Sequence, residues 1–290
     1  MTGQATPPRH PGAPPPHGGG AVDSGTGGSS GSGPGGSFGG GAGVRFERDG
    51  PVATVTLCRP EVHNAQTPRT WEALRAFGAE LPGDVRVVVV RGEGPSFSSG
   101  LDRTVLQGGE ESVAALARLD PADAAARIAR YQEAFAWLRH PRLVTVAAVQ
   151  GHAIGAGLQL ALACDLRVLA DDAQLAMAEV TLGLVPDLGG TKRLVELVGY
   201  ARALEMCVTG RRVDAAEAMR TGLANLVVPR AELDAAVSDL VAAVLSAAPG
   251  AVAEIKALLS GVGSRSYAEQ ERAEREAQVR RIREIAGYGE

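Results

Sequence analysis

The chain has 290 residues, a formal charge of −4, 45% hydrophobic, 21% charged and only 4% aromatic residues. That balance suits a globular protein and excludes two classes. A general nucleic-acid binder would be basic, and a single-strand binder would need stacking aromatics. The three cysteines, Cys58, Cys164 and Cys207, form no metal-spaced pair and are too few for a disulfide framework, so a reducing, cytoplasmic setting is expected. No apolar run is long enough to span a bilayer and the first residues lack a secretory leader pattern, so no membrane partner is expected.

Residues 1–43 hold 16 of the 38 glycines and 7 of the 17 prolines. A segment with so little apolar surface cannot offset its chain entropy, which predicts disorder. The folded core is expected over 44–230 and a helical, subunit-packing region over 231–290. Residues 44–47 and 52–57 read as a strand pair around the Asp49-Gly50-Pro51 turn. Residues 67–81 have helical apolar spacing at Trp71, Leu74, Phe77 and Leu81. Residues 86–90 are apolar without alternation, the pattern of a parallel strand buried on both faces. Residues 121–138 read as a helix and 143–149 as a second buried strand. The βαβ rhythm predicts an α/β layered core. Residues 166–169 and 174–177 read as short strands, and 191–198 as a helix stopped by Gly199. Asp214 with Glu217 reads as a capping box for a helix ended by Gly222. The chain is helical from Ala231, and its last stretch, 267–285, is dense in Glu, Arg and Gln, as on a solvated or subunit-packing face.

Two glycine-containing strand ends carry the chemical interest. One is the run 97–102, Phe-Ser-Ser-Gly-Leu-Asp. The other is 151–157, Gly-His-Ala-Ile-Gly-Ala-Gly, where a helix beginning near Ala156 leaves first-turn N–H groups unpaired. Two such N–H groups converging on one carbonyl oxygen make an oxyanion hole. Neither loop has the glycine spacing of a dinucleotide site or a Walker lysine.

In their order along the chain these motifs, together with Arg59-Pro60, Asn64-Ala65, Ala163-Cys164-Asp165 and the runs 179–186 and 189–194, resemble the enoyl-CoA hydratase/isomerase, or crotonase, family. The resemblance covers about 44–261. It implies a crotonase-like α/β fold with a repeated ββα spiral core and a C-terminal helical region. It also implies an acyl-CoA substrate and a homo-oligomer, a trimer or a dimer of trimers. No permanently bound cofactor or metal is expected; coenzyme A enters as part of the substrate. Residue by residue, the oxyanion-hole donors fall on Leu101 and Ala156, and the CoA arm along Val62, Asn64, Ala65, Ser99 and Gly100. Of the two glutamates of the family's hydratases, one falls on Glu179 and the other on Gln159. A glutamine can hydrogen-bond a water or substrate but cannot transfer a proton as a carboxylate does. Glu179 lies among apolar residues, which suits it to proton transfer near neutrality, and Asp187 matches an aspartate of the family's dienoyl-CoA isomerases. Double-bond isomerisation of an enoyl-CoA is the expected reaction. Hydration of a 2-enoyl-CoA, and a non-catalytic CoA-ester-binding protein, stand as alternatives. His152 is read as structural, His63 as a contact to ligand or solvent, and Asp102 as a residue that shapes its loop.

Overall fold

The computed structural model describes residues 41–288. Apart from Gly41 to Gly43, which form a turn, the stretch expected to be disordered lies outside the described residues. In that turn the Ala42 carbonyl accepts from Thr70 Oγ1 at 2.8 Å and the Gly43 carbonyl from the Cys58 amide at 3.0 Å.

The strand pair is β1 (Val44–Asp49) and β2 (Val52–Leu57), antiparallel as its short turn requires. Helix α1 (Pro68–Glu80) is capped by Thr67 in a reciprocal box with Thr70, with proline at its first position. β3 (Val87–Gly92) follows, then two one-turn helices, α2 (Thr104–Gln107) and α3 (Val113–Leu116), in a stretch that has no clear period in the sequence. α4 (Pro121–Ala136) leads through a 3₁₀ turn to β4 (Val144–Val149). Next come β5 (His152–Ile154), α5 (Ala156–Ala163), β6 (Leu166–Ala170) and β7 (Gln174–Ala176).

The second half continues with α6 (Gly190–Val198), α7 (Tyr200–Thr209), β8 (Val213–Asp214), α8 (Ala215–Thr221) and β9 (Leu226–Val228). It closes with α9 (Leu233–Ser246), α10 (Pro249–Gly261) and α11 (Tyr267–Ile285). Only half of the expected capping box forms at α8. Asp214 accepts from the Glu217 amide, but the Glu217 carboxylate is drawn to Arg211, with oxygens 2.8 and 2.6 Å from its guanidinium. A bidentate charge-assisted pair outcompetes a cap bond.

The larger sheet has the order β1-β2-β3-β4-β6-β9, parallel except for the first pair; the smaller is β5-β7-β8. β3 shows why its sequence lacks alternation. Val88 and Val90 enter the main core, while Val87 and Val89 pack with Val146, Val168 and the α9 residues Leu233 and Val237 on the other face. α9 thus covers the back of the sheet and α5 fills the front. Every residue of α5 is buried. The architecture is the α/β spiral core with C-terminal helices that the motifs imply. The segment before α5, a glycine-containing strand end in the sequence, holds a further strand, β5, and that strand matters for the site.

Candidate active site

The two glycine loops meet through backbone pairing. Ser98 and Ala153 form a parallel bridge: the Ser98 amide donates to the His152 carbonyl at 2.8 Å and the Ile154 amide to the Ser98 carbonyl at 3.0 Å. The bridge needs small residues. Gly100 has φ +89, and a Cβ there would lie 2.4 Å from the Ile154 carbonyl oxygen; one on Gly157 would lie 2.5 Å from the Ser98 oxygen. Ser98 ties the crossing further, because its hydroxyl donates to the Asn64 carbonyl and accepts from Gln66 Nε2 and the Gly100 amide. Gln66 in turn accepts from Trp71 Nε1 at 2.9 Å.

Leu101 and Ala156 emerge on the same wall of a cavity of about 360 Å³. Neither N–H donates to an acceptor among the described residues. Ala156 is the first residue of α5, so its N–H has no intrahelical carbonyl to reach and faces the cavity with the positive end of the helix dipole.

Two carboxyls share this cavity, and Glu179 reaches the start of α5: a Cβ on Gly155 would lie 3.3 Å from its Oε1. Glu179 follows β7 and Asp187 sits in the loop before α6, and both line the cavity. Burial is the main cause that pushes the Glu179 carboxyl above its usual range. Its hydrogen bonds pull it back, and the Asp187 charge adds to the rise. Burial also raises Asp187. Gln159 Nε2 donates to Glu179 Oε1 at 2.7 Å. The other oxygen, Oε2, is buried with no hydrogen-bond partner among the described residues. The Gln159 carbonyl is already committed: it accepts from the Leu188 amide at 2.9 Å and the Gly190 amide at 3.3 Å. Gln159 is 1% exposed and bridges Glu179 to the Asp187 loop, so its amide holds Glu179 and does not stand free in the cavity.

The structure distributes the remaining expected residues unevenly. Ser99 and Gly100 line the cavity, whereas Val62 and Ala65 lie outside its lining on the neighbouring loop, where the Val62 carbonyl accepts from Ser99 Oγ. Asn64 lies on that loop too, but its side chain is 1% exposed. It accepts from the Arg59 amide and donates to the Glu93 and Ser96 carbonyls. That side chain fixes the loop, leaving only backbone for a ligand. Asp102 accepts from Thr104 and from Arg59 Nη1 at 2.8 Å. Burial pushes its carboxyl up, but those bonds outweigh it and hold it below the usual value. Among the described residues, no three His, Cys, Asp or Glu side chains are placed to hold a metal ion.

Sequence reasoning missed the far end of the cavity, formed by Trp71, Val113, Leu116, Ile128, Tyr131 and Leu184. Trp71 and Tyr131 pack with centroids 5.0 Å apart. Helical spacing flagged α1 and α4, but nothing in the pattern separates residues that face a cavity from residues that face the core.

Known proteins share this arrangement. The family model of enoyl-CoA hydratase/isomerase matches residues 47–285. A carnitinyl-CoA dehydratase of Citrobacter koseri is 37% identical over 215 residues, 73% of this chain and 78% of that protein. A Mycobacterium bovis protein bearing an enoyl-CoA hydratase name is 35% identical over 189 residues, 64% of this chain and 69% of that protein. Among solved structures, a Thermobifida fusca protein that also bears an enoyl-CoA hydratase name, in complex with CoA, superposes with TM-score 0.81 at 50% identity, covering 85% of this chain and 95% of that one. The same description with acetoacetyl-CoA gives TM-score 0.81 at 52% identity, over 84% and 96%. The fold, the crossed glycine loops and these likenesses together make the chain a member of the enoyl-CoA hydratase/isomerase family, and an enzyme of that family.

Proposed function

We propose that the protein isomerises the double bond of an enoyl-CoA through a thioester enolate. The carrying observation is the state of Gln159. Its amide donates to Glu179 and its carbonyl is occupied by two backbone N–H groups, so position 159 supplies no second proton-transfer group and activates no water. Among the described residues Glu179 is left with one buried, unpartnered oxygen at the cavity and a carboxyl raised above its usual range by burial. That is the condition of a group suited to both take and return a proton.

In this reading the CoA arm runs along the backbone of Val62, Asn64, Ala65, Ser99 and Gly100. The complexes of the Thermobifida protein with CoA and acetoacetyl-CoA support a CoA ester as the ligand. The thioester oxygen accepts from the Leu101 and Ala156 N–H groups. The Glu179 carboxylate removes a proton from C2 of a 3-enoyl-CoA, and the C2 electron pair delocalises into the carbonyl as the enolate forms. Protonated Glu179 then delivers the proton to C4, and the double bond settles at C2–C3. No cofactor other than the CoA of the substrate enters the scheme. Asp187 assists by keeping Glu179 poised.

Hydration is the second reading, and a specific observation favours it. Asp187 is a second carboxyl, raised by burial, in the same cavity, and relatives carry hydratase and dehydratase names. A single experiment separates the two. A 3-enoyl-CoA and a 2-enoyl-CoA are each followed by the absorbance of the conjugated thioester. Absorbance gained from the first with none lost from the second supports isomerisation. Rapid loss from the second replaces it with hydration.

We further propose a homo-oligomer, a trimer or a dimer of trimers. Apolar side chains stand exposed beside the cavity, with Val185 73% accessible, at the start of α7, with Tyr200 70% accessible, and on the last helix, with Ile285 81% accessible. A monomer by light scattering would contradict it.

A further inference from the structure

Ser96 lies just past β3 and is 1% exposed. Its hydroxyl oxygen is 3.1 Å from Nδ1 of His63 and 3.2 Å from Nδ1 of His152, and the two rings meet edge to face with centroids 6.0 Å apart. A hydroxyl has one proton, so it donates to one imidazole only and must accept from the other. The surroundings choose which. His63 is exposed and His152 is half-buried in β5. His152 is faced by Arg212, by His63 and by Asp172, whose carboxylate is paired with Arg230. Burial, then the Arg212 and His63 charges, hold the His152 imidazole below its usual range against the opposing pull of Asp172. Those surroundings favour a neutral His152 ring whose Nδ1 accepts. His63 Nδ1–H donates to Ser96 Oγ, and the Ser96 O–H donates to His152 Nδ1.

The same two histidines hold the strand that leads to the oxyanion hole. The His63 carbonyl accepts from the Ser99 amide and the His152 carbonyl from the Ser98 amide, each at 2.8 Å. Leu101 follows directly. His63 and Asn64 also sit at φ 52 and 55, a left-handed pair that side chains rarely adopt and that the surroundings must therefore hold. Asn64 is held by its three side-chain bonds; the His63 ring is held by Ser96.

We infer that His63, Ser96 and His152 form a directional hydrogen-bond chain that positions the Leu101 side of the oxyanion hole against the loop carrying the CoA arm. All three are positioning residues that act through the backbone of residues 98–101. The inference rests on the reading of Leu101 and Ala156 as the donors to the thioester oxygen. It has a signed consequence. A second proton on His152 converts Nδ1 from acceptor to donor, so the Ser96 O–H can donate only to His63 Nδ1 and the direction of the chain must reverse. Acidification through the lowered titration of His152 therefore loosens the grip on the thioester, separately from any change at Glu179.

The test measures binding of acetoacetyl-CoA to the full chain by calorimetry between pH 8 and pH 5. It is done in a Glu179→Gln background, which removes the catalytic carboxyl's own titration. Affinity should weaken on the order of tenfold towards acid, the scale of one buried hydrogen bond. Adding His152→Gln, whose amide oxygen accepts in the same place and does not titrate, should keep tight binding at pH 8 and flatten the acid limb. Adding Ser96→Ala should weaken binding at every pH. It should also move the His152 ring-proton titration in the NMR spectrum to higher pH while the spectrum remains that of a folded protein. An acid limb that survives His152→Gln, or an unmoved His152 titration in Ser96→Ala, overturns the chain. Turnover is not read, so an error in the role of Glu179 leaves this result intact. Failure of the Glu179→Gln parent to bind acetoacetyl-CoA at any pH overturns the CoA-ester reading and this inference with it.

Discussion

The two ends of α5 contrast. At its C-terminal end every strong polar group is matched. Asp165 accepts from the Thr145 amide at 2.8 Å, its hydroxyl at 3.0 Å and Lys256 Nζ at 2.7 Å. Lys256 also donates to the Leu143 carbonyl, which fastens α10 to the core. Arg167, 2% exposed, donates to the Cys164 and Leu223 carbonyls, and burial lowers its guanidinium to about 10. At the N-terminal end, eight residues away, the Ala156 N–H has no acceptor and Glu179 keeps an orphan buried oxygen among the described residues. One helix thus joins a satisfied anchor to an unsatisfied cavity. Unsatisfied buried groups cost stability, and they are what a substrate with a negative oxygen and an acidic C–H would satisfy.

Removing the orphan charge breaks the contrast most sharply. Glu179→Gln keeps the bond from Gln159 and should lower turnover of a 3-enoyl-CoA roughly 10³-fold, the scale of a general acid–base group. Stability should move the other way. Burial raises the folded pKa of Glu179, so its ionised form disfavours folding once the pH passes the unfolded carboxyl range, and the cost is complete above the folded value. Glu179→Gln should therefore raise the melting temperature at pH 7, with the gain fading towards pH 4. Unchanged turnover would remove Glu179 from the mechanism.

The other end should show the reverse pattern. Lys256→Met strips the cation from Asp165 and should cost about 3 kcal/mol in denaturant unfolding, the low end for a broken buried pair, since Asp165 keeps 24% side-chain exposure. Turnover per folded molecule should stay at the wild-type level. A loss of kcat with no loss of stability would mean that the anchor is part of the site.

Gln159→Leu falls between the two. It deprives Glu179 of its one side-chain donor and leaves the Leu188 and Gly190 amides unsatisfied at once. Turnover should drop on the order of tenfold, about one charge-assisted hydrogen bond, and the melting temperature should fall as well. A Gln159→Leu protein with full activity would show that Glu179 needs no holding.

The same contrast explains what was legible in the sequence. Elements that obey one local rule could be read directly. Examples are the all-apolar β3 between two cores, α1 with its apolar spacing at Trp71, Leu74 and Phe77, and the glycine loops whose backbones cross at Gly100 and Gly157. The family motifs pointed to Glu179, Asp187, Leu101 and Ala156, which line one cavity. What the sequence hid were groups whose meaning depends on a distant partner. Gln159 reads as a substrate contact until the Leu188 and Gly190 amides occupy it. Glu217 reads as a capping residue until Arg211 takes it. Asn64 reads as a ligand contact until Glu93 and Ser96 bury it. His152 reads as part of a loop until pairing with Gln174 of β7 makes it a strand.

The smallest expected effect bears on the loop before α6. Asp187 contributes to the raised Glu179 carboxyl only after burial and hydrogen bonding have acted. Its own backbone carbonyl is held by Gln132 Nε2 at 2.6 Å, so Asp187→Asn should leave the loop in place. Glu179 must be ionised to remove a proton from C2, so the rate falls as pH drops through its raised value. Without the neighbouring charge that value comes down, and the acid limb of kcat/KM should move to lower pH. Isomerisation at pH 8 should then lie within about threefold of wild type, the size of a through-space charge effect in a partly solvated cavity. If Asp187 is instead the second catalytic carboxyl of a hydratase, the same substitution should remove hydration of a 2-enoyl-CoA by about 10²-fold or more. One variant thus measures whether the loop before α6 tunes a single proton carrier or supplies a second.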